Sequence, residues 1–192
     1  MKQNDQPKLD KPGAGLPAAE LWIARLRFRR AVKIERSAAR DLFLNEKERI
    51  GKISKPQNAE RFGEPVLIRR LPGMEDSSRF WSIWMVYEHL RIVNQAVALT
   101  IESLGKGKLP SQVADTADFK PDPQTTGSVL AHYEKSCETF LQSADVIADL
   151  HTPDRFDHPW FGPLNAHEWF VLGGFHMGIH RRQMEAIFQA LS

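Results

Sequence analysis

The sequence predicts an all-α protein built as a four-helix bundle. Three observations carry that expectation. Apolar residues recur at the helical period in four separate stretches, no stretch alternates apolar and polar residues as a half-buried strand would, and no internal repeat points to a solenoid. At 192 residues, with 42% hydrophobic and 26% charged content, the chain has the size and composition of one soluble globular domain.

Residues 1–15 are polar and rich in Lys, Pro, Gln and Gly, so they read as a disordered leader ahead of a single domain over 16–192. Pro17 suits a first helical turn, and Leu21, Trp22, Ile23, Leu26 and Phe28 open a first helix expected to run to about residue 50. The span 52–73 holds Pro56, Gly63, Pro65, Pro72 and Gly73 and reads as a long connection, extended over 65–68. Asp76, Ser77 and Ser78 are N-cap candidates for a second helix, whose stripe is Ile83, Val86, Leu90, Val93, Val97 and Ile101. Gly105-Lys106-Gly107 ends it, and a loop with Pro110, Pro121 and Pro123 leads to a third helix over 126–150. Val129, Tyr133, Cys137, Phe140, Ala144 and Ile147 form its apolar side, which makes Cys137 a small buried hydrophobe rather than a nucleophile. The fourth helix has the sharpest start: Asn165 with Glu168 three residues on forms a capping box, Leu164 and Trp169 fit a hydrophobic staple, and the helix runs to Leu191.

Charge and cysteine usage exclude several roles. A net charge of +2 gives no general reason to expect nucleic acid. Arg25, Arg27, Arg29, Arg30, Arg36 and Arg40 are soon offset by Glu35, Asp41, Glu46 and Glu48, so a solvated helix face is the expectation there. Cys137 is the sole cysteine, which forbids an intrachain disulfide and fits a reducing compartment. No apolar run approaches the ~18–20 residues that cross a bilayer. Neither a membrane nor a nucleic acid is an expected partner, and the expected location is the cytoplasm.

The chemistry concentrates on the fourth helix. Its inward stripe reads Trp169, Leu172, His176, Ile179, His180, Gln183 and Ile187, so three polar residues interrupt a face that should be buried. Residues four apart differ by about 40° in azimuth and ~6 Å in height, which lets two imidazoles converge on one point. The spacing alone is weak, but a buried imidazole without a partner costs a few kcal/mol, and three polar residues on one stripe suggest one shared site. A third metal ligand should come from a facing helix: His89, beside the second helix's stripe, is the best candidate and His132 the reserve. His151 complements the dipole of the helix it follows, while His158 and His167 read as surface residues, with His158 able to line a pocket mouth. A ferritin-like carboxylate site is excluded because no Glu stands three residues before His89, His176 or His180. Glu88 points about 100° away from His89. Three neutral imidazoles without a carboxylate favour Zn²⁺ or Ni²⁺ over a two-histidine-one-carboxylate iron site.

These residues resemble the DinB-like (DinB/YfiT) superfamily of metalloenzymes. The match is carried by His89 in Trp84-Met85-Val86-Tyr87-Glu88-His89-Leu90 and by the pair His176 and His180. A bacterial branch without assigned activity is similar around the last helix, through His158-Pro159-Trp160-Phe161-Gly162-Pro163-Leu164-Asn165-Ala166-His167-Glu168-Trp169 and then His176, His180 and Gln183. The resemblance spans about 77–191; Arg181 stands where many relatives carry a further histidine, and the region before Met74 is longer than the usual first helix needs. It implies a four-helix bundle with a divalent metal on three histidines and open positions for water. Some members look like transferases of low-molecular-weight thiols such as bacillithiol, mycothiol or glutathione, and others like hydrolases.

The functional expectation is thus a divalent-metal site of His89, His176 and His180, with Gln183 orienting a ligand, serving a metal-dependent thiol transferase or hydrolase. Tyr87 and Glu88 are the only nearby base candidates. The alternative is a non-catalytic metal- or ligand-binding stress-response protein acting as a homodimer.

Overall fold

The computed structural model describes residues 7–53, 59–111 and 115–192. The described residues form five α-helices: α1 (Ala18–Ala31), α2 (Arg36–Ile53), α3 (Ile83–Gly105), α4 (Val129–Asp145) and α5 (Ala166–Leu191). Two short antiparallel hairpins accompany them, β1 (Val66–Leu67) with β2 (Phe80–Trp81) and β3 (Phe156–His158) with β4 (Gly162–Leu164). The bundle is formed by α2, α3, α4 and α5, with α3 packed on α4 and α5 packed on both α2 and α3. The helical architecture expected from the apolar stripes is the one observed.

The first predicted helix is in fact two. The helix turns off after Ala31, and Val32, Lys33 and Ile34 close backbone hydrogen bonds to Phe28, Arg30 and Ala31. The break has a tertiary cause: the Ile34 carbonyl accepts from His167 Nε2 at 2.9 Å, on α5. That contact lies 133 residues away in sequence, so no local pattern announces it. Of α1 only Phe28 is buried, whereas Trp22 is 66% exposed; α1 is an outlying helix and α2 is the true bundle member.

The other boundaries shift for local reasons. The N-cap of α3 is Ser82, whose Oγ accepts from Met85 N at 3.1 Å. Asp76–Ser78 instead form a single 3-10 turn. Helix α4 is shorter than the predicted 126–150, and Arg36 donates to Ala144 O in its last turn and, at 2.9 Å, to Ile147 O just beyond it. The capping box of α5 is as expected: Asn165 Oδ1 accepts from Glu168 N at 2.9 Å, and Glu168 Oε2 accepts from Asn165 N at 2.9 Å.

The core is a single cluster centred on stacked rings. Phe43 of α2 lies 4.3 Å from Phe140 of α4, which lies 5.2 Å from Phe170 of α5. All three are essentially without solvent contact, and each buried ring of this size contributes on the order of 2–3 kcal/mol through area removed from water. Cys137 sits in this core, fully buried, with its thiol pushed up to about 12 by burial.

Loops are tied to the bundle by one carboxylate. Glu75, 5% exposed, accepts from Thr116 Oγ1 at 2.8 Å, Ser77 Oγ at 3.1 Å, and Lys120 Nζ, Gly13 N and Gly15 N at 3.3 Å each. Gly13 and Gly15 have φ of 82° and 78°, a left-handed backbone that glycine adopts without strain and that turns both amides onto the same acceptor. Of the expected leader, residues 1–6 lie outside the described residues, while 10–15 are held at Glu75 and Asp76 rather than forming a free tail. No described helix is long and apolar enough to cross a membrane.

Candidate metal centre

Three helical positions converge. His89 lies one and a half turns into α3, and His176 and His180 lie one turn apart in the middle of α5, so the α3–α5 contact brings the three rings together. Ring centroids are 4.4 Å apart for His89 and His180, 4.5 Å for His176 and His180, and 5.0 Å for His89 and His176. Their potential ligand nitrogens all lie within 4.8 Å of one another. His89 Nε2 and His176 Nε2 are 3.1 Å apart. Two nitrogens bound to one ion at ~2.05 Å would be ~2.9 Å apart at a right angle and ~3.3 Å at the tetrahedral angle. The observed spacing falls between these.

The hydrogen bonds decide which face of each ring meets the others. His89 Nδ1 donates to the Phe119 carbonyl at 2.6 Å, which leaves Nε2 of the neutral ring with its lone pair free. His180 Nδ1 is 2.6 Å from Gln183 Oε1, and Gln183 Nε2 donates to the Ser78 carbonyl at 2.7 Å. Because the amide nitrogen of Gln183 is committed to Ser78, its oxygen must be the atom facing His180, so His180 Nδ1 is the donor and Nε2 the lone pair. Gln183 is fully buried and His180 is 5% exposed, so neither group has bulk water as a substitute partner. His176 is partly exposed, and its Nδ1 is buried without a hydrogen-bond partner.

Electrostatics keep the rings neutral. Burial pushes His89 down to about 4, with Lys120 adding to the effect and the Phe119 carbonyl opposing it. His176 and His180 are both held well below the ordinary imidazole range, first by burial and then by the neighbouring histidines. Trp81 closes one side, its ring centroid 5.1 Å from His89 and stacked 6.1 Å from His180, and Lys120 lies over that indole at 5.3 Å.

The remaining candidates fall elsewhere. His132 is exposed on α4 and does not join the cluster. Glu88 is held by Arg91 through bonds of 2.6 and 2.8 Å. His167 is buried rather than on the surface, and the His151 ring lies beside it, tilted, at 4.5 Å. His158 is also drawn in, packed on Phe161 and Trp169 at 5.0 and 5.3 Å. Sequence reasoning missed Trp81, Lys120 and the carbonyls of Ser78 and Phe119. A backbone carbonyl leaves no signature in residue type, and Trp81 sits on a two-residue strand too short to show alternation.

A family model for the DinB superfamily matches residues 44–184, which spans α2 to most of α5 and includes all three histidines. The chain belongs to the DinB superfamily. Among solved structures, the four-helix bundle protein TT2238 is similar with a TM-score of 0.58 and 19% sequence identity, over 78% of this chain and 97% of that one. At that identity the likeness speaks for the fold alone. A comparison with curated protein sequences finds no match. The DinB-matched region begins within α2, so α1 and the 7–15 segment lie outside it. At the position after His180, this DinB chain carries Arg181, which is committed to Glu46 of α2 and Glu185 at 2.5 Å each.

Proposed function

We propose that His89, His176 and His180 hold one divalent metal ion, zinc or nickel, and that this DinB protein is a metal-dependent enzyme of thiol-transferase or hydrolase type. One observation carries the reading. The tautomers of His89 and His180 are set by the Phe119 carbonyl and the Gln183 amide, so two buried imidazoles bring lone pairs to a common point beside His176. A neutral His176 ring can donate its one Nε2 proton to His89 at 3.1 Å, which leaves the His180 lone pair unserved. One divalent cation instead accepts all three lone pairs, and burial here disfavours a second proton in its place. Three neutral imidazoles are the donor set that zinc and nickel accept.

A divalent ion with an open position supplies either a bound water of lowered pKa, ~7, or a bound thiolate. The chain's own residues supply order around it. Gln183 and the Ser78 carbonyl hold His180 in one orientation, Phe119 holds His89, and Trp81 shields both rings from water. The partial exposure of His176 leaves a side from which a small substrate, such as a low-molecular-weight thiol, can approach.

A second reading, a non-catalytic metal- or ligand-binding stress-response protein acting as a homodimer, is favoured by the commitment of Glu88 to Arg91, which removes the carboxylate adjacent to His89 in sequence from service as a base. Exposed Trp22, Ile23 and Leu26 on α1 fit the homodimer part of it. Both readings keep the protein in a reducing cytoplasm, where Cys137 needs no disulfide. The test compares zinc-loaded and chelator-treated protein in thiol-transfer assays with bacillithiol, mycothiol and glutathione, and in ester and amide hydrolysis assays. Metal-dependent turnover that His89→Ala abolishes is expected, whereas zinc-loaded protein inert in both panels would favour the second reading.

A further inference from the structure

The β3–β4 hairpin delivers a fourth histidine to the neighbourhood of the metal centre. His158 is the last residue of β3, opposite Gly162 in the hairpin register, and its ring packs against Phe161 and against Trp169 of α5. Trp169 and His176 are two helical turns apart and share one face of α5. His158 lies close enough to His176 for a charge on one ring to disfavour a charge on the other. The hairpin therefore stands beside the partly exposed side of the cluster.

With Nε2 of His176 given to a metal, the polar ring atoms on this face are donors. Trp160 N–H donates to His158 Nδ1 at 3.1 Å, so the neutral ring carries its proton on Nε2. That Nε2 has no hydrogen-bond partner among the described residues. Trp169 is only 7% exposed, yet its Nε1–H is buried with no partner. His176 Nδ1 is in the same state, and it bears the ring proton whenever Nε2 serves the metal. Buried N–H groups are almost always paired, and unpaired ones cost free energy. The unpaired indole N–H of Trp169, with the His158 ring 5.3 Å from it and the rings of Phe156 and Phe161 alongside, calls for an acceptor with an apolar body. Beside a divalent cation and neutral imidazoles, an anionic acceptor fits best.

We propose that His158 and Trp169 form the substrate-side wall of the metal centre, where their ring N–H groups donate to the carboxylate of a small substrate with a flat apolar body. This deepens the metal-enzyme reading and rests on it for the charge of the site. Burial, which pushes His158 down to about 4, keeps that ring a neutral donor across the physiological range.

The probe is benzoate, with benzylamine as the cationic control, titrated into ¹⁵N-labelled full-length protein in zinc-loaded and zinc-free forms. The chain has 5 tryptophans, and the Trp169 indole N–H signal is assigned by its loss in Trp169→Phe. Benzoate is expected to move that signal downfield while benzylamine leaves it in place. By calorimetry, Trp169→Phe and His158→Gln should each weaken benzoate binding roughly tenfold, as loss of a hydrogen bond to a charged group does, with zinc content unchanged. A stationary Trp169 signal, or an unchanged Kd in either folded variant, overturns the proposal. If the protein takes up no zinc, the metal reading falls on that result alone. The zinc-free titration then judges the wall: a moving Trp169 signal sustains it and a stationary one removes it.

Discussion

The amide of Gln183 has both ends committed in the interior, its nitrogen to the Ser78 carbonyl and its oxygen to His180. Replacing it by Leu keeps the apolar volume but strands two buried polar groups, so folding stability should fall by about 1–3 kcal/mol in urea unfolding. It should also free the His180 ring to rotate, and zinc affinity measured by chelator competition should drop roughly 10–100-fold. A loss of stability with unaltered zinc affinity would assign Gln183 to packing alone. The imidazoles themselves predict a pH dependence of the metal-free protein. His89, His176, His180 and His158 all have folded pKa values below the unfolded value, so the unfolded chain binds more protons in the window between them. Stability is complete above about pH 6.5 and is lost as pH falls toward 4, by at most ~1.4 kcal/mol per pH unit for each ring. Urea midpoints at pH 7.5 and 5 read this directly; zinc should raise both midpoints while leaving the slope in place wherever it stays bound, because the liganded rings stay unprotonated in the folded state.

At the scale of elements, α5 is where the sequence spoke most clearly. Its capping box fixed the start, and His176, His180 and Gln183 stood out because polar residues interrupted an apolar stripe. Its glycines are less legible, since glycine marks a close approach without naming the partner. A Cβ at Gly173 would lie 2.2 Å from the Phe140 ring, so Gly173→Ala should disturb the Phe43–Phe140–Phe170 stack and cost about 1–3 kcal/mol by overpacking. At Gly178 the nearest atoms, on Glu46, are at 3.5 Å, an ordinary contact. Gly178→Ala should therefore stabilise α5 by up to ~1 kcal/mol through helix propensity. Thermal unfolding of the two variants checks both signs, and stabilisation by Gly173→Ala would contradict the described packing.

For the whole molecule, α3, α4 and α5 could be read from periodicity because each buries one face against the others, whereas the apolar residues read for the first helix lie on α1, outside the bundle. The split between α1 and α2 and the Glu75 hub could not be read this way, because each depends on contacts between residues far apart in sequence; β1 lies in the span expected to be extended, while β3 and β4 pair locally but are too short to show alternation. Glu75 shows what such contacts are worth. Burial acts to raise its carboxyl, but donors from Thr116, Lys120, Gly13 and Ser77 outweigh it and leave the pKa lowered. Glu75→Ala should leave Lys120 half-buried without its counter-charge and lower Tm by roughly 5–10 °C. The measurement closest to the central claim is metal content by mass spectrometry of untagged protein, beside His176→Ala with its fold checked by circular dichroism. About one zinc or nickel per chain in the wild type, lost in the folded variant, is the predicted result. Wild-type protein that stays metal-free after incubation with both ions would contradict the account.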